Sequence, residues 1–374
     1  MNAPQPNEPA SYPRRVLLAA TGLSPQVVTE TVYALAVQAQ CAFVPTEIHL
    51  VTTKQGKEHA RLNLLSGDPG WFQRLRADYA LPEIAFDAGR IHVLTGPDGA
   101  PLADIRTPEE NEHAADTITR LVAEFTADTS AALHVSLAGG RKTMGYYLGY
   151  ALSLFGRPQD RLSHVLVSAP FESHPRFFYP TPGECVIHTL ESRPLDCRDA
   201  VVTLAQIPFV RLRDELPPRL LGGNARLTEI VTAANRALQP PRLTLDTMQR
   251  LASADDQPLS LGRTEFAVLL WLAERARAGA PEVDWTRPEA ADEFLGVARR
   301  IFNPMGAEYE RIEKAVDWRR SAAIKLGKYF EPHKSRINDA IERALGAVAA
   351  RRYAIPPRGP NGLPLAGEQI EIRP

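Results

Sequence analysis

Cysteine is scarce in this sequence: only Cys41, Cys185 and Cys197 occur among 374 residues, and no two of them stand in C-x2-C spacing. Neither a zinc site nor a disulfide framework is suggested. Long apolar runs are missing as well. No stretch reaches the roughly 18 residues that cross a bilayer, so no membrane partner is expected. Charge of one sign is also lacking. The 43 lysines and arginines nearly balance 44 acidic residues, for a net charge of −1. That excludes a molecule-wide attraction for nucleic acid, and any basic surface must be local. The nine histidines form no HExxH or HxH arrangement, so neither a metal nor any other cofactor is expected. Walker A, GxGxxG and GxSxG signatures are absent, which removes support from ATPase, dinucleotide-binding and serine-hydrolase readings. The stretch Met1 to Pro13 is proline-rich and polar. It lacks the apolar core of a signal peptide and reads as a disordered tail, with the cytoplasm as the expected compartment.

What is present alternates between strand and helix. Arg15 to Ala20 reads as a buried strand, Val27 to Gln38 as a helix behind Pro25, and Glu47 to Thr52 as a second strand. Lys57 to Leu65 (helix), Arg90 to Leu94 (strand), Glu109 to Phe125 (helix), Leu133 to Leu137 (strand), Lys142 to Leu154 (helix) and His164 to Val167 (strand) continue the series. This order predicts an α/β, Rossmann-like parallel sheet with both faces covered. At such a length two domains are expected. The boundary is marked by Pro217-Pro218 and Gly222-Gly223, giving residues 14–215 and 222–374.

Ligands of parallel sheets bind beyond the carboxyl ends of the strands, and three turns lie there. The first is Thr21-Gly22-Leu23-Ser24-Pro25-Gln26; the second includes Thr53 and Lys54; the third is Gly139-Gly140-Arg141-Lys142-Thr143-Met144. Paired glycines let the backbone turn sharply and approach a ligand closely. A following helix N-terminus offers free N–H groups, and Arg141 and Lys142 add positive charge, a combination suited to phosphate. Plain helix capping accounts equally for Ser24-Pro25, and a tight strand-to-helix turn with solvated charges accounts for the third turn. Asp104 and Arg106 fit a pocket or a loop ion pair. The aromatic run Phe171 to Tyr179 fits base stacking or packing over the sheet edge. His134, alternating within a strand, reads as structural.

The second domain is expected to be mainly helical and winged-helix-like. Helices are predicted over Arg226 to Leu238, Thr264 to Arg277, Arg311 to Tyr329 and Lys334 to Leu345, with a strand at Arg242 to Leu245. A closing hairpin is expected between Tyr353-Ala354-Ile355 and Gln369 to Ile372. From Arg311 to Arg358, twelve lysines and arginines face five acidic residues. A DNA-contacting face and an ordinary solvated helix surface both accommodate that excess.

Taken together, Thr21-Gly22-Leu23-Ser24-Pro25-Gln26 and Ser136-Leu137-Ala138-Gly139-Gly140-Arg141-Lys142-Thr143-Met144 resemble the CRISPR-associated proteins with a Rossmann-like CARF domain, specifically the ring-nuclease branch of type III systems. The resemblance covers roughly Arg15 to Pro180. It implies a homodimer that binds cyclic oligoadenylate, most often cyclic tetra-adenylate, and cleaves it without metal to switch off antiviral signalling. Ser24 and Lys142 become the catalytic pair. Thr21, Gly22, Leu23, Gln26, Thr53, Lys54, Arg106, Gly139, Gly140, Arg141, Thr143 and Met144 become ligand-binding. The alternative is a CARF transcription regulator that senses the ring without cleaving it. An Arg-x4–6-His ribonuclease motif, common in relatives, is missing: beyond Gly222 the single histidine, His333, follows Lys328 but no arginine at that spacing.

Overall fold

The computed structural model describes residues 8–38, 42–217, 220–223, 225–236, 240–280, 282–317, 323–357 and 361–374. Two units emerge, Met1–Arg213 with Leu221–Leu227, and Asp214–Leu220 with Thr228–Pro374.

The first unit is built on a six-stranded sheet. Its strands are β1 (Arg14–Ala20), β2 (Glu47–Thr52), β3 (Ile91–Val93), β4 (Ala131–Ser136), β5 (Arg161–Val167) and β8 (Val202–Gln206), in the order β3-β2-β1-β4-β5-β8. β6 (Val186–His188) and β7 (Pro194–Asp196) form a separate ribbon. The expected parallel sheet is present in its first five strands, and β8 adds an antiparallel edge to β5 that the apolar stretch at 200–210 did not disclose. β1 lies between β2 and β4, with Leu17 level with Ile48 on one side and His134 on the other. Successive residues of β1 face opposite layers. Leu17 and Ala19 join Val28, Val32, Ile48, Leu50 and Phe72 under α1 (Gln26–Tyr33) and α3 (Trp71–Asp78). α4 (Pro108–Ala127) and α5 (Lys142–Phe155) pack on each other through buried Ile118, Val122, Leu148 and Leu152. α1 runs on through a π-helical segment, Ala34–Gln38, and α2 (Lys54–Ala60) through another, Arg61–Leu65. Thr107 and Glu110 close a capping box at the start of α4.

Local chemistry corrects several expectations. Of the tail expected over residues 1–13, residues 1–7 lie outside the described residues, while in residues 8–13 Pro9–Ser11 is a 3-10 turn and Tyr12 is buried in the α1 layer with its carbonyl accepting from Arg15. The aromatic run is not a stacking surface. Phe177, Phe178 and Tyr179 are buried, Phe178 stacked on Trp71 and Tyr179 donating to Asp78. His134 is structural as expected, its Nε2 2.7 Å from Ser163 Oγ, and burial pushes its pKa down to about 3.

The second unit contains a four-stranded sheet in the order β11-β10-β9-β12, from β9 (Leu243–Asp246), β10 (Leu251–Ala254), β11 (Gln257–Leu259) and β12 (Ile370–Arg373). Around it lie α7 (Arg263–Arg277), α8 (Pro288–Ile301), α9 (Ala307–Val316) and α10 (Ala323–Leu345), with Trp271, Phe294 and Phe330 at the centre. α6 (Leu227–Arg236) and the one-turn α11 (Ala347–Ala350) complete the helices described. The terminal hairpin on which the winged-helix expectation leaned is not formed. β12 pairs parallel with β9, while the side chain of Asn338 takes both backbone groups of Ile355 at 2.9 Å, leaving that residue nothing to offer a strand. The helix drawn from Arg311 to Tyr329 ends at Val316, and the next one passes through Pro332 because buried Phe330 and Ile337 fix it on both sides. Of the basic excess, Lys334 is buried against Asn361, Arg336 pairs with Glu265 and Lys314 with Glu310. Arg319, Arg320 and Arg358 lie outside the described residues.

Where β4 meets β5, Asp160 is fully buried and completely engaged. It accepts from the Leu133 amide at 2.9 Å, the Arg157 amide at 2.8 Å and two Arg157 guanidinium nitrogens at 2.9 Å. Replacing Asp160 with alanine strands the buried Arg157, and urea denaturation should register a loss of about 3–5 kcal/mol. A loss under about 1 kcal/mol would mean that this pair does not hold the two strands together.

Candidate ligand site at the sheet's switch point

The strand order reverses between β1 and β4, and the chains leaving these two strands meet over the crevice so formed. The junction is made of glycine. A Cβ on Gly22 would stand 3.5 Å from Gly140 Cα, and one on Gly139 would stand 2.7 Å from the Ala20 carbonyl oxygen and 2.9 Å from Val27 Cγ2. Gly140 has φ +81°, a region that side chains rarely enter. The turn after β2 closes in from the other side, where a Cβ on Gly56 would stand 2.8 Å from the Gly22 carbonyl oxygen. All three sequence-predicted turns therefore adjoin one another.

Hydroxyl groups hold the first turn. Thr21 Oγ1 donates to the Ser24 carbonyl at 3.2 Å, and Thr52 Oγ1 donates to the Thr21 carbonyl at 2.6 Å. Thr53 caps α2, accepting from the Gly56 amide at 3.3 Å. Ser24 is not the N-cap of α1; that position belongs to Pro25, and the Ser24 side chain is exposed without a capping bond. Leu23 is exposed too. α5 likewise begins with no side-chain cap, so its first N–H groups are left for solvent or a ligand. Lys142 and Thr143, its first two residues, are exposed.

A cavity of about 330 Å³ opens beside the junction, lined by Gly22, Ser24, Gln26, Glu30, Gly139 and Gly140 among others, with β5 as its far wall. Of the predicted residues it gathers Gly22, Leu23, Ser24, Gln26, Gly139 and Gly140. Lys142, Arg141, Thr143, Thr21, Thr53, Lys54 and Arg106 do not line it. Met144 is buried beneath Gly140, where a Cβ would lie 3.1 Å from its sulfur, so it supports the turn from inside. Arg141 reaches across to Asp104, its Nε 2.6 Å from Oδ1, and Arg106 approaches the same carboxylate at 3.6 Å. Hydrogen bonding by Arg141 holds the Asp104 carboxyl below its ordinary range. Gln26 donates to the Pro175 carbonyl at 3.0 Å, while its Oε1 is buried without a partner.

The residue missing from the sequence-based site is Glu30. It is 7% exposed and lines the cavity, and its carboxyl makes no hydrogen bond or ion pair to any described residue. Burial raises its pKa to about 7. The available signal was an acid between Val28 and Val32 on a buried helix face. Segment 172–174, also lining the cavity, brings Glu172 and His174; both fall within the run Phe171 to Tyr179, which the sequence singled out for its aromatic residues.

A family model described as CRISPR-associated protein NE0113 matches residues 24–240. No curated protein matches the chain. Among solved structures, Enterococcus italicus Csm6 bound to cyclic hexa-2′-fluoro-hexa-dAMP is 11% identical with TM-score 0.27, covering 88% of this chain and 66% of its own. Can2 from Sulfobacillus thermosulfidooxidans in complex with cyclic tetra-adenylate is 13% identical with TM-score 0.24, covering 88% and 68%. This chain thus spans about two thirds of the length of each. With scores this low neither superposition bears on the arrangement of the site.

Glu30 carries a consequence for stability. An acid whose pKa is raised by folding costs nothing below its unfolded value near 4.5. The cost grows as pH climbs through the folded value near 7 and then levels off at about 3 kcal/mol. Glu30→Gln should therefore gain stability over the native protein between pH 5 and pH 8 in chemical denaturation. Parallel profiles for the two proteins would show that Glu30 does not ionise in place.

Proposed function

Since the chain belongs to the CRISPR-associated NE0113 family, we propose that its first unit is a CARF domain that binds cyclic oligoadenylate and cleaves the ring, acting as a homodimeric ring nuclease. The observation that carries this reading is the side-chain-free junction of Gly22, Gly139 and Gly140, where two uncapped helix starts adjoin a cavity edged by Ser24. Such a junction admits a phosphodiester backbone close to main-chain N–H donors.

In this mechanism the 2′-hydroxyl of a ribose attacks the adjacent phosphate. The P–O5′ bond breaks, and the products are a 2′,3′-cyclic phosphate and a free 5′-hydroxyl. The protein's task is to hold the hydroxyl in line and to neutralise charge growing on the phosphorane. Ser24 orients the phosphate or the hydroxyl, and Lys142 supplies the charge. A four-fold repeated ligand on a two-fold axis needs only one such set from each subunit.

One observation favours the alternative, a sensor that binds without cutting: Lys142 does not line the cavity that Ser24 edges. Incubation with labelled cyclic tetra-adenylate separates the two. Linear di-adenylate with a cyclic phosphate end is expected, with a chelator present or absent. Ligand recovered intact after hours, together with specific DNA retention, would establish the sensor. Lys142→Ala should lower the cleavage rate by about 100- to 1,000-fold; unchanged turnover would remove Lys142 from the site. Asp104→Ala frees Arg141 from its ion pair and should tighten ring binding at low salt, read by calorimetry. Unaltered affinity would show that Arg141 does not meet the ligand.

A further inference from the structure

Buried acids in folded proteins are ordinarily paired or bonded, because leaving one without a partner is costly. Asp160 obeys this rule with four donors. Glu30, on the wall of the ligand cavity, has none among the described residues. Nothing in the fold is gained from a carboxyl there, since Val28 and Val32 beside it pack in the apolar core. The unmet group is directed at the cavity, so its partner is to be sought in what the cavity binds.

Resting on the functional reading above, we propose that Glu30 is the specificity-determining residue that reads adenine, as a neutral carboxylic acid donating its O–H to a ring nitrogen and accepting the neighbouring N6–H. The chemistry selects a base over a phosphate. A carboxylic acid presents a donor beside an acceptor, and adenine presents an acceptor beside a donor at N7/N6, where the deaminated base presents two acceptors. A phosphate offers acceptors only, and its charge would repel the ionised group. The other titratable groups around the cavity do not take up this role. His174 is bonded at both nitrogens, donating from Nε2 to the His188 carbonyl at 3.0 Å and accepting at Nδ1 from the Arg176 amide at 3.2 Å. His164 on β5 is half-buried and Glu172 is exposed; α1 presents no further acid or base to the cavity. The raised pKa of Glu30, near 7, agrees with a group that is an acid at and below neutrality.

The test measures binding of cyclic tetra-adenylate, and of its deaminated analogue cyclic tetra-inosinate, to the full chain from pH 6 to pH 8. Native protein should prefer the adenylate ring and lose affinity as pH rises. Glu30→Gln, which keeps a donor beside an acceptor without ionising, should retain the preference and abolish the pH dependence. Glu30→Leu should bind adenylate about 10- to 100-fold more weakly and lose most of the preference over inosinate, with a thermal melt confirming that it is folded. Full preference in Glu30→Leu overturns the assignment. So does a pH slope that persists unchanged in Glu30→Gln, which would belong to His164 or His174. Failure of the native protein to bind the adenylate ring at any pH overturns the functional reading itself.

Discussion

Two stretches of backbone touch at Gly22 and Gly140, and the site takes its form from that contact. β1 and β4 are neighbours in the sheet, so their exits are necessarily close, but closeness alone would fill the space with side chains. Glycine at positions 22, 139 and 140 removes them. The Ala20 carbonyl and Val27 leave no room for a Cβ at Gly139, and Met144 occupies the space under Gly140. The result is an opening framed by main chain, with two helices starting beside it and neither start sealed by a side chain. Rigid strands fix the frame, and the helix starts supply unspent N–H donors.

Against that frame, the first unit treats its two buried acids in opposite ways. Asp160 is surrounded by donors and ties the start of β5 to β4. Glu30 is largely desolvated on the cavity wall, with no partner for its carboxyl among the described residues. Stability explains the first arrangement and not the second. A residue that weakens the fold at neutral pH while facing a cavity is where sequence, energetics and function part company.

Much of the first unit was legible in the sequence because its signals are local. Apolar runs ending in Thr-Gly or Gly-Gly fix β1 and β4 and the helices that follow, and strand-helix alternation fixes the parallel sheet. What could not be read depends on distant partners. β8 is antiparallel only because the chain returns along β5. Tyr353 and Ile355 look like strand residues, but Asp255 and Asn338 claim their polar groups. Pro332 suggests a helix break that Phe330 and Ile337 override through burial. Glu30 sat in plain view within a helical motif, yet neither composition nor spacing records that a side chain lacks a partner.

The division of charge around the junction follows the same logic. Arg141, Arg106 and Asp104 form an exposed ion-pair group near the starts of α5 and α4, and Lys142 is exposed beside them. None of them lines the cavity, whose wall combines glycine backbone and apolar side chains with Ser24, Gln26, Glu172, two histidines and the buried acid Glu30. Exposed cations are suited to a strongly hydrated phosphate, because neither partner need surrender its water fully. An enclosed pocket with a donor beside an acceptor is suited to a heterocyclic base, which gives up little hydration when it enters. A ligand in which bases and phosphates alternate around a closed ring presents both chemistries at a fixed separation. On the reading proposed above, the cavity would take a base and the rim a phosphate, so a ligand that joins several of each in one covalent frame would engage both at once.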